Sequence, residues 1–348
     1  MNQVIPILFA ILLIAGCSAN EQQDPVVEEL EIIGENLQVP WSIVKLGNTF
    51  YLTERPGSIA KIENGEIERQ RVELEKELVT ASEAGLLGFA LAPDFTKSNL
   101  AYAYYTYHDD SGQFNRIVTL RLDDSVWREE SLLLDHIPSG SYHHGGRLKI
   151  GPDEKLYATA GDASKSDIAQ DPNGLGGKIL RMNLDGSIPS DNPFPNSYVY
   201  SYGHRNPQGI AWSVDGTLYA SEHGSNANDE INKIVAGQNY GWPIIQGYEQ
   251  QDGMVTPLFT SEDEATWAPS GMDIYNDKLY VAALRGSAVL EFDLETGEQR
   301  EVITGLGRIR DVQIEDNILY FISNNTDGRG MPQENGDKLY RISLSESK

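Results

Sequence analysis

Along the chain, short runs of alternating apolar and polar residues are separated by turn-forming pairs, and one run recurs. It consists of an apolar residue, a tyrosine and then several small or apolar residues. Six copies stand at Phe50-Tyr51, Ala101-Tyr102, Leu156-Tyr157, Leu218-Tyr219, Leu279-Tyr280 and Leu319-Tyr320. After each come a turn or loop and a second alternating segment: Ile59–Ile62, Arg116–Leu122, Ile179–Leu184, Glu230–Ile234, Val289–Leu294 and Leu339–Leu344. Period-two alternation marks strands with one buried face. Pro93-Asp94, Pro152-Asp153, Asp185-Gly186 and Asp215-Gly216 supply turns between such runs. A unit of about 40–60 residues with several short strands has the period of a β-propeller blade. The pattern predicts an all-β chain, a six-bladed β-propeller over residues 31–346, with Leu339-Tyr340 as partner strand of the last blade. Five or seven blades are the alternatives, because Leu339-Tyr340 is itself a seventh match to the dipeptide.

In a propeller the inner strands run along the central channel, so equivalent strand ends share one rim, and loops on a rigid scaffold carry function. The residues that follow the tyrosine copies are Glu54-Arg55, Tyr105-Thr106, Gly161-Asp162, Glu222-His223, Leu284-Arg285 and Ser323-Asn324. This polar ring either holds a ligand or lines a water-filled channel.

Composition narrows the class. The chain has 348 residues, 40% hydrophobic, enough for a large core, and its 33 Gly, 16 Pro and 17 Tyr suit a turn-rich β protein. A net charge of −25 lacks the basic footprint that nucleic-acid binding needs and suits a solvated acidic surface. Residues 4–16 are apolar and lead into Cys17, the single cysteine, so no intramolecular disulfide forms. The run is too short to span a bilayer and fits the core of a signal peptide. Ile14-Ala15-Gly16-Cys17 resembles a bacterial lipobox, although Met1-Asn2-Gln3 carries no basic residue. The expectation is a signal peptide over 1–17, lipidation at Cys17 and a polar, acidic tether over 18–30. The chain would then be exported and held at the outer or periplasmic face of the cell membrane by lipid alone.

Candidate chemistry clusters near the strand ends. Arg205 lies in Gly203-His204-Arg205-Asn206-Pro207-Gln208-Gly209, followed by Arg285 and the pair Arg308-Ile309-Arg310. Arg308 and Arg310 alternate by two and leave one face of a strand. Arginine suits bidentate contact with carboxylate or phosphate, so several converging arginines favour a multiply anionic ligand; salt bridges between blades are the plainer alternative. His143-His144-Gly145-Gly146-Arg147 places an imidazole beside two glycines, and histidine removes a hydroxyl proton near neutral pH. Asp162 is placed to orient that ring, with His144 pointing the other way. Adjacent histidines on a strand make zinc ligation unfavourable. The loop Glu222–Glu230, with Gly224, Ser225, Asn226, Asn228 and Asp229, offers oxygen to a hard cation such as Ca²⁺ or is simply an Asx-rich turn.

Taken together, these segments resemble the soluble quinoprotein glucose dehydrogenase and aldose sugar dehydrogenase family, also called the glucose/sorbosone dehydrogenase family. The resemblance covers most of residues 38–344. It rests on Pro40-Trp41-Ser42, Thr53–Gly57, Glu83–Gly88, Pro93-Asp94-Phe95, His143–Leu148, Gly161-Asp162, Gly203–Gly209, Asp229–Asn232, Asn239–Pro243, Ala268–Gly271, Ala283–Gly286 and Arg308–Val312. It implies pyrroloquinoline quinone (PQQ) over a Ca²⁺ at one end of a six-bladed propeller. It further implies His143 as general base on the sugar C1 hydroxyl with Asp162 in support, and Glu83 where the glucose branch has Gln. Arg205, Asn206, Arg285, Arg308 and Arg310 would hold the quinone, with Trp267, Ser323 and Asn324 against it. Gly224 and Ser225 would give backbone carbonyls to the catalytic Ca²⁺, and Glu230 and Tyr240 would mark a second, structural Ca²⁺ site. The activity implied is oxidation of an aldose to its lactone by a monomer that passes electrons to an external acceptor. The rivals are a propeller lactonase, which would need acidic metal ligands in the channel, and a non-catalytic propeller that binds a glycan or a protein.

Overall fold

Tight hairpins set the strand pairing. Asn64-Gly65, Asp124-Ser125 and Asn276-Asp277 each place two successive residues at positive φ. Each pair joins strands whose flanking residues face one another: Glu63 with Glu66, Asp123 with Val126, and Tyr275 with Lys278. Two-residue loops of that hand match the twist of the strands they connect. The computed structural model describes residues 30–263 and 265–344. The expected signal peptide, Cys17 and the tether up to residue 29 lie outside the described residues.

The regular structure described is almost all antiparallel sheet, arranged in four-stranded units. The first unit is Pro40–Leu46, Thr49–Glu54, Ser58–Glu63 and Glu66–Glu73; the second is Leu86–Leu91, Leu100–Asp109, Gly112–Asp123 and Val126–Pro138. These two share one sheet through a parallel pairing of their last strands, Arg71 opposite Val126. The third is Leu148–Ile150, Leu156–Ala160, Lys178–Met182 and Val199–Tyr202; the fourth is Pro207–Trp212, Leu218–Glu222, Glu230–Ile234 and Phe259–Thr260. The fifth is Pro269–Tyr275, Lys278–Ala283, Ala288–Asp293 and Gln299–Ile303. The sixth takes Ile309–Glu315, Ile318–Ser323 and Asp337–Ser343 and borrows its outer strand, Glu31–Leu37, from the N-terminal side.

The first strands of neighbouring units lie side by side at five of the six junctions and return to the start; between the third and fourth units, Leu156–Ala160 meets Pro207–Trp212 instead. Pro40–Leu46 contacts Leu86–Leu91, Pro207–Trp212 contacts Pro269–Tyr275, that strand contacts Ile309–Glu315, and Ile309–Glu315 contacts Pro40–Leu46. The arrangement is propeller-like. The channel is therefore lined by the first strands, whereas every tyrosine copy lies on the second strand of its unit. This corrects the expectation that the tyrosine strands are innermost. The segments expected to follow them are the third strands, Leu339-Tyr340 included.

The tyrosines have a packing role. Each lies in its own apolar cluster between two neighbouring units: Tyr51 in one, Tyr102, Tyr157, Tyr219, Tyr280 and Tyr320 in the others. Tyr51 meets Phe95 and Trp127 edge-on, Tyr157 meets Trp212, and Tyr320 lies 5.0 Å from Phe50. The small residues after the tyrosines, such as Ala103, Ala158, Ala220 and Ala282, are fully buried and let sheets approach face to face. The apolar core is thus spread around the ring, which leaves the axis to polar groups.

Candidate active site

One end of the channel opens into a cavity of about 260 Å³. Its floor is closed by an ion pair across the axis. Arg147, from the third unit, donates to Asp311 of the sixth at 2.8 Å, and the amide of Ile43 in the first unit donates to the same oxygen at 2.8 Å. The Arg147 guanidinium also lies 4.2 Å from the ring of Trp41, which lines the cavity. Gly271 fits against this pair only because it lacks a side chain: a Cβ there would stand 1.6 Å from Asp311 Oδ1.

His143 stands in the wall with a φ of 65°, a conformation uncommon outside glycine. Gly161 makes room behind it, since a Cβ there would come within 2.0 Å of the His143 carbonyl oxygen. His143 Nδ1 donates to Asp162 Oδ1 at 2.7 Å, and Asp162 accepts further from Trp242 Nε1 and the Ser164 amide, both at 2.8 Å. Because a carboxylate only accepts, the ring proton is fixed on Nδ1. Among the described residues nothing bonds to Nε2. His144 turns toward Ser139 and Asn115, and burial pushes its pKa down to about 4.

Both oxygens of Glu83 are committed, one to Arg329 at 2.7 Å and one to the His143 amide at 3.1 Å. Burial works to raise its pKa, but the Arg329 guanidinium and that amide outweigh burial and hold it at about 2. Glu83 is therefore a fixed anion that clamps the backbone of His143.

Six arginines line the cavity: Arg55, Arg205, Arg285, Arg308, Arg310 and Arg329. Arg308 is paired with Asp327 through two nitrogens at 2.9 and 2.8 Å. Arg310 is held by Asn324 Oδ1 at 3.2 and 3.4 Å and by Ser270 Oγ at 3.4 Å, and burial pushes it down to about 9. Arg205 lies 5.3 Å from the Trp242 ring; its Nε is buried without a partner, and burial lowers its pKa. Arg285 is exposed and its guanidinium bonds to nothing among the described residues. Arg55 holds the loop that carries Glu83, donating to the carbonyls of Ala84 and Ser82.

The other expected residues divide. Asn206 lines the cavity and accepts from the Gly145 amide at 3.0 Å. Gly224 and Ser225 also line it, in a loop so tight that a Cβ on Gly224 would lie 1.9 Å from the Ala227 carbonyl oxygen. Asp229 ties that loop down, accepting from the amides of Gly224, Trp267 and Ala268. Trp267, expected against the ligand, packs instead in the apolar cluster 5.3 Å from Phe292; its neighbours Thr266 and Ala268 reach the cavity. Ser323 and Asn324 stand behind the wall, Ser323 on Asp337 and Asn324 between Arg310 and the Pro40 carbonyl. Glu230 and Tyr240 do not bond each other. The Tyr240 hydroxyl donates to the Lys233 carbonyl at 2.7 Å, while Glu230 accepts from the Gly247 amide, and burial with nearby Glu222 pushes it up to about 8. Among the described residues no group of three or more His, Cys, Asp or Glu is placed to hold a metal ion, so a cation here would depend on backbone carbonyls.

Arg329 and Trp242 lacked a role in the sequence reading, and Arg55 and His223 were placed there only as members of the polar rim. Arg55, Trp242 and His223 were within its reach, since they lie in segments already singled out; nothing around Arg329 in the sequence marks it.

Comparison with known proteins gives one consistent answer. The family model described as Glucose / Sorbosone dehydrogenase matches residues 37–340. Quinoprotein glucose dehydrogenase B of Acinetobacter calcoaceticus is 38% identical over 260 residues, covering 64% of this chain and 54% of that protein. The match thus spans about half the length of that relative. Aldose sugar dehydrogenase YliI of Escherichia coli is 30% identical over 346 residues, 87% of this chain and 92% of its own. The PQQ-bound aldose sugar dehydrogenase of Streptomyces coelicolor superposes with a TM-score of 0.84 at 33% identity, over 92% of this chain and 99% of that one.

Proposed function

The chain belongs to the glucose/sorbosone dehydrogenase family, and from that premise we propose that it oxidises aldoses at C1 to lactones using PQQ and Ca²⁺. The carrying observation is that His143, fixed by Asp162, opens onto a cavity walled by six arginines in a chain of net charge −25. PQQ carries three carboxylates. The buried, partnerless Arg205 Nε and the free guanidinium of Arg285 fit such an anion. Gly224 and Ser225 would hold the Ca²⁺ through backbone carbonyls, since among the described residues no group of three or more His, Cys, Asp or Glu is placed to hold a metal ion. On this reading the six units are the blades of a six-bladed β-propeller, and the chain is exported and anchored by lipid at Cys17.

When bound, the quinone supplies the two-electron acceptor and the Ca²⁺ a Lewis acid for its carbonyl. The chain supplies the rest. His143 Nε2 takes the C1 hydroxyl proton, and Asp162 stabilises the resulting imidazolium while fixing the ring's tautomer. Trp242 and Ser164 keep Asp162 in place. Glu83 holds the His143 backbone, and Arg205, Arg285 and Arg310 offset carboxylate charge, with Arg308, paired to Asp327, bounding the site beside them. Electrons then pass to an external acceptor.

The test is to add PQQ and Ca²⁺ to purified protein, follow the quinone absorbance, and then supply glucose with an artificial dye. A spectral shift and sugar-dependent dye reduction are expected, with His143→Ala keeping the shift and losing the reduction. No shift and no reduction in the unmutated protein would sink the proposal.

A further inference from the structure

Of the side chains lining the cavity, His144, Arg205 and His223 carry a buried nitrogen without a hydrogen-bond partner. Native structures leave few such atoms, and each calls for a cause. The His144 ring is already held through Nδ1 by Ser139 and Asn115. Arg205 already has a role. His223 Nε2 remains.

Its placement is fixed rather than incidental. The His223 amide donates to the Asn206 carbonyl at 3.3 Å, and the His223 carbonyl accepts from Arg205 Nη1 at 3.3 Å. The next residue, Gly224, is held by Asp229 at 2.8 Å. The backbone of His223 is therefore held in place, and the residue lines the same cavity as Arg205. A buried ring nitrogen with no protein partner can carry the ring proton and donate when an oxygen arrives with a ligand, or it is satisfied by water alone.

We propose that His223 is a cofactor-binding residue, its Nε2 donating to a carboxylate or carbonyl oxygen of the bound quinone beside Arg205. This rests on the PQQ reading above. A direct bond of this kind makes affinity depend on a polar atom at the Nε2 position; a water-filled space does not.

The test uses the full chain with Ca²⁺, titrated with PQQ and followed by quinone absorbance, together with thermal unfolding of each variant without quinone. His223→Leu should weaken binding roughly tenfold or more, the share of one charge-assisted hydrogen bond. His223→Gln places a side-chain nitrogen near the Nε2 position and His223→Asn near Nδ1, so both keep polarity and differ only in reach. The glutamine variant should bind several-fold tighter than the asparagine variant, which holds even if the leucine variant fails to fold. Equal affinities for Gln and Asn, or a folded leucine variant within about twofold of the unmutated protein, overturn the assignment of His223. If the unmutated protein itself gives no spectral shift, the PQQ reading falls and this assignment falls with it.

Discussion

Replacing Asp311 by alanine removes the carboxylate at the centre of the ring and isolates a buried cation. Asp311 is 4% exposed and Arg147 2%. The carboxylate accepts from Arg147 and from the Ile43 amide, both at 2.8 Å, so it joins the first, third and sixth units. After the substitution Arg147 keeps only the Gln208 carbonyl at 3.3 Å and the Trp41 face at 4.2 Å. Breaking a buried pair from one side costs about 3–5 kcal/mol, because the remaining charge stays desolvated. The lost acceptor for Ile43 overlaps with that figure rather than adding to it. With a urea m-value near 3 kcal/mol/M, the unfolding midpoint should fall by roughly 1–1.7 M. Asp311→Asn, which keeps the acceptor and loses the charge, should recover little. The double variant Arg147→Met with Asp311→Leu should be markedly more stable than Asp311→Ala, since apolar replacement removes the desolvated charge with its partner. A loss under about 1 kcal/mol for Asp311→Ala, or a double variant as unstable as the single one, refutes the reasoning.

Gly271→Ala should destabilise by about 1–3 kcal/mol through overpacking against Asp311, and the penalty should shrink in an Asp311→Ala background; equal penalties in both would show that the contact is not the cause. Asp162→Asn should lower turnover by roughly 10²–10⁴-fold with quinone affinity unchanged, because His143 loses its tautomer control; a loss confined to affinity counts against the pairing. Glu83 is held at about 2 from an ordinary 4.5, so the unfolded chain takes up this proton first as pH falls. The stabilisation is full above about 4.5 and disappears as pH drops through about 2. Glu83→Gln should flatten that part of the stability–pH curve, and an unchanged slope between those values would refute it.

The strand repeat was readable because alternation and tyrosine placement both express packing, and packing is what the sheets repeat. It put the tyrosine strands one place too near the axis, because alternation reports a buried face, not how far a strand lies from the centre. The pair Arg308 and Arg310 was readable for the same reason, since strands place alternate residues on one face, and both line the cavity. Polar side chains were readable only as positions. Glu54 stood in the expected rim, yet it is fully buried and spent on Arg69 and Ser58 at 2.9 and 2.7 Å. Trp267 was expected at a ligand because of its place in the chain; instead its carbonyl anchors the amides of Arg285 and Gly286, both at 3.0 Å, and its ring fills a core cluster. Arg329 is the converse case. Its role comes from Glu83, 246 positions away in the chain, and no local pattern encodes such a contact.

The way charge is divided around the cavity says more than the number of arginines. Arg308 is neutralised by Asp327 and Arg329 by Glu83. Arg55, Arg205 and Arg285 have no carboxylate in ion-pair range among the described residues, and Arg310 has only Asp327 at 4.0 Å. Burial lowers the pKa of Arg55, Arg205 and Arg310, which means that their charged forms are held at a cost. Around the ring, by contrast, buried arginines are matched, as Arg147 is by Asp311 and Arg181 by Asp153 and Asp191. A chain that pairs its other buried arginines and leaves these unpaired is arranged for an anion supplied from outside. Such an anion relieves the mutual repulsion and stabilises the folded state by an amount that grows with the logarithm of its concentration. The same unpaired positive field, and not the apolar walls, would then set which anions bind.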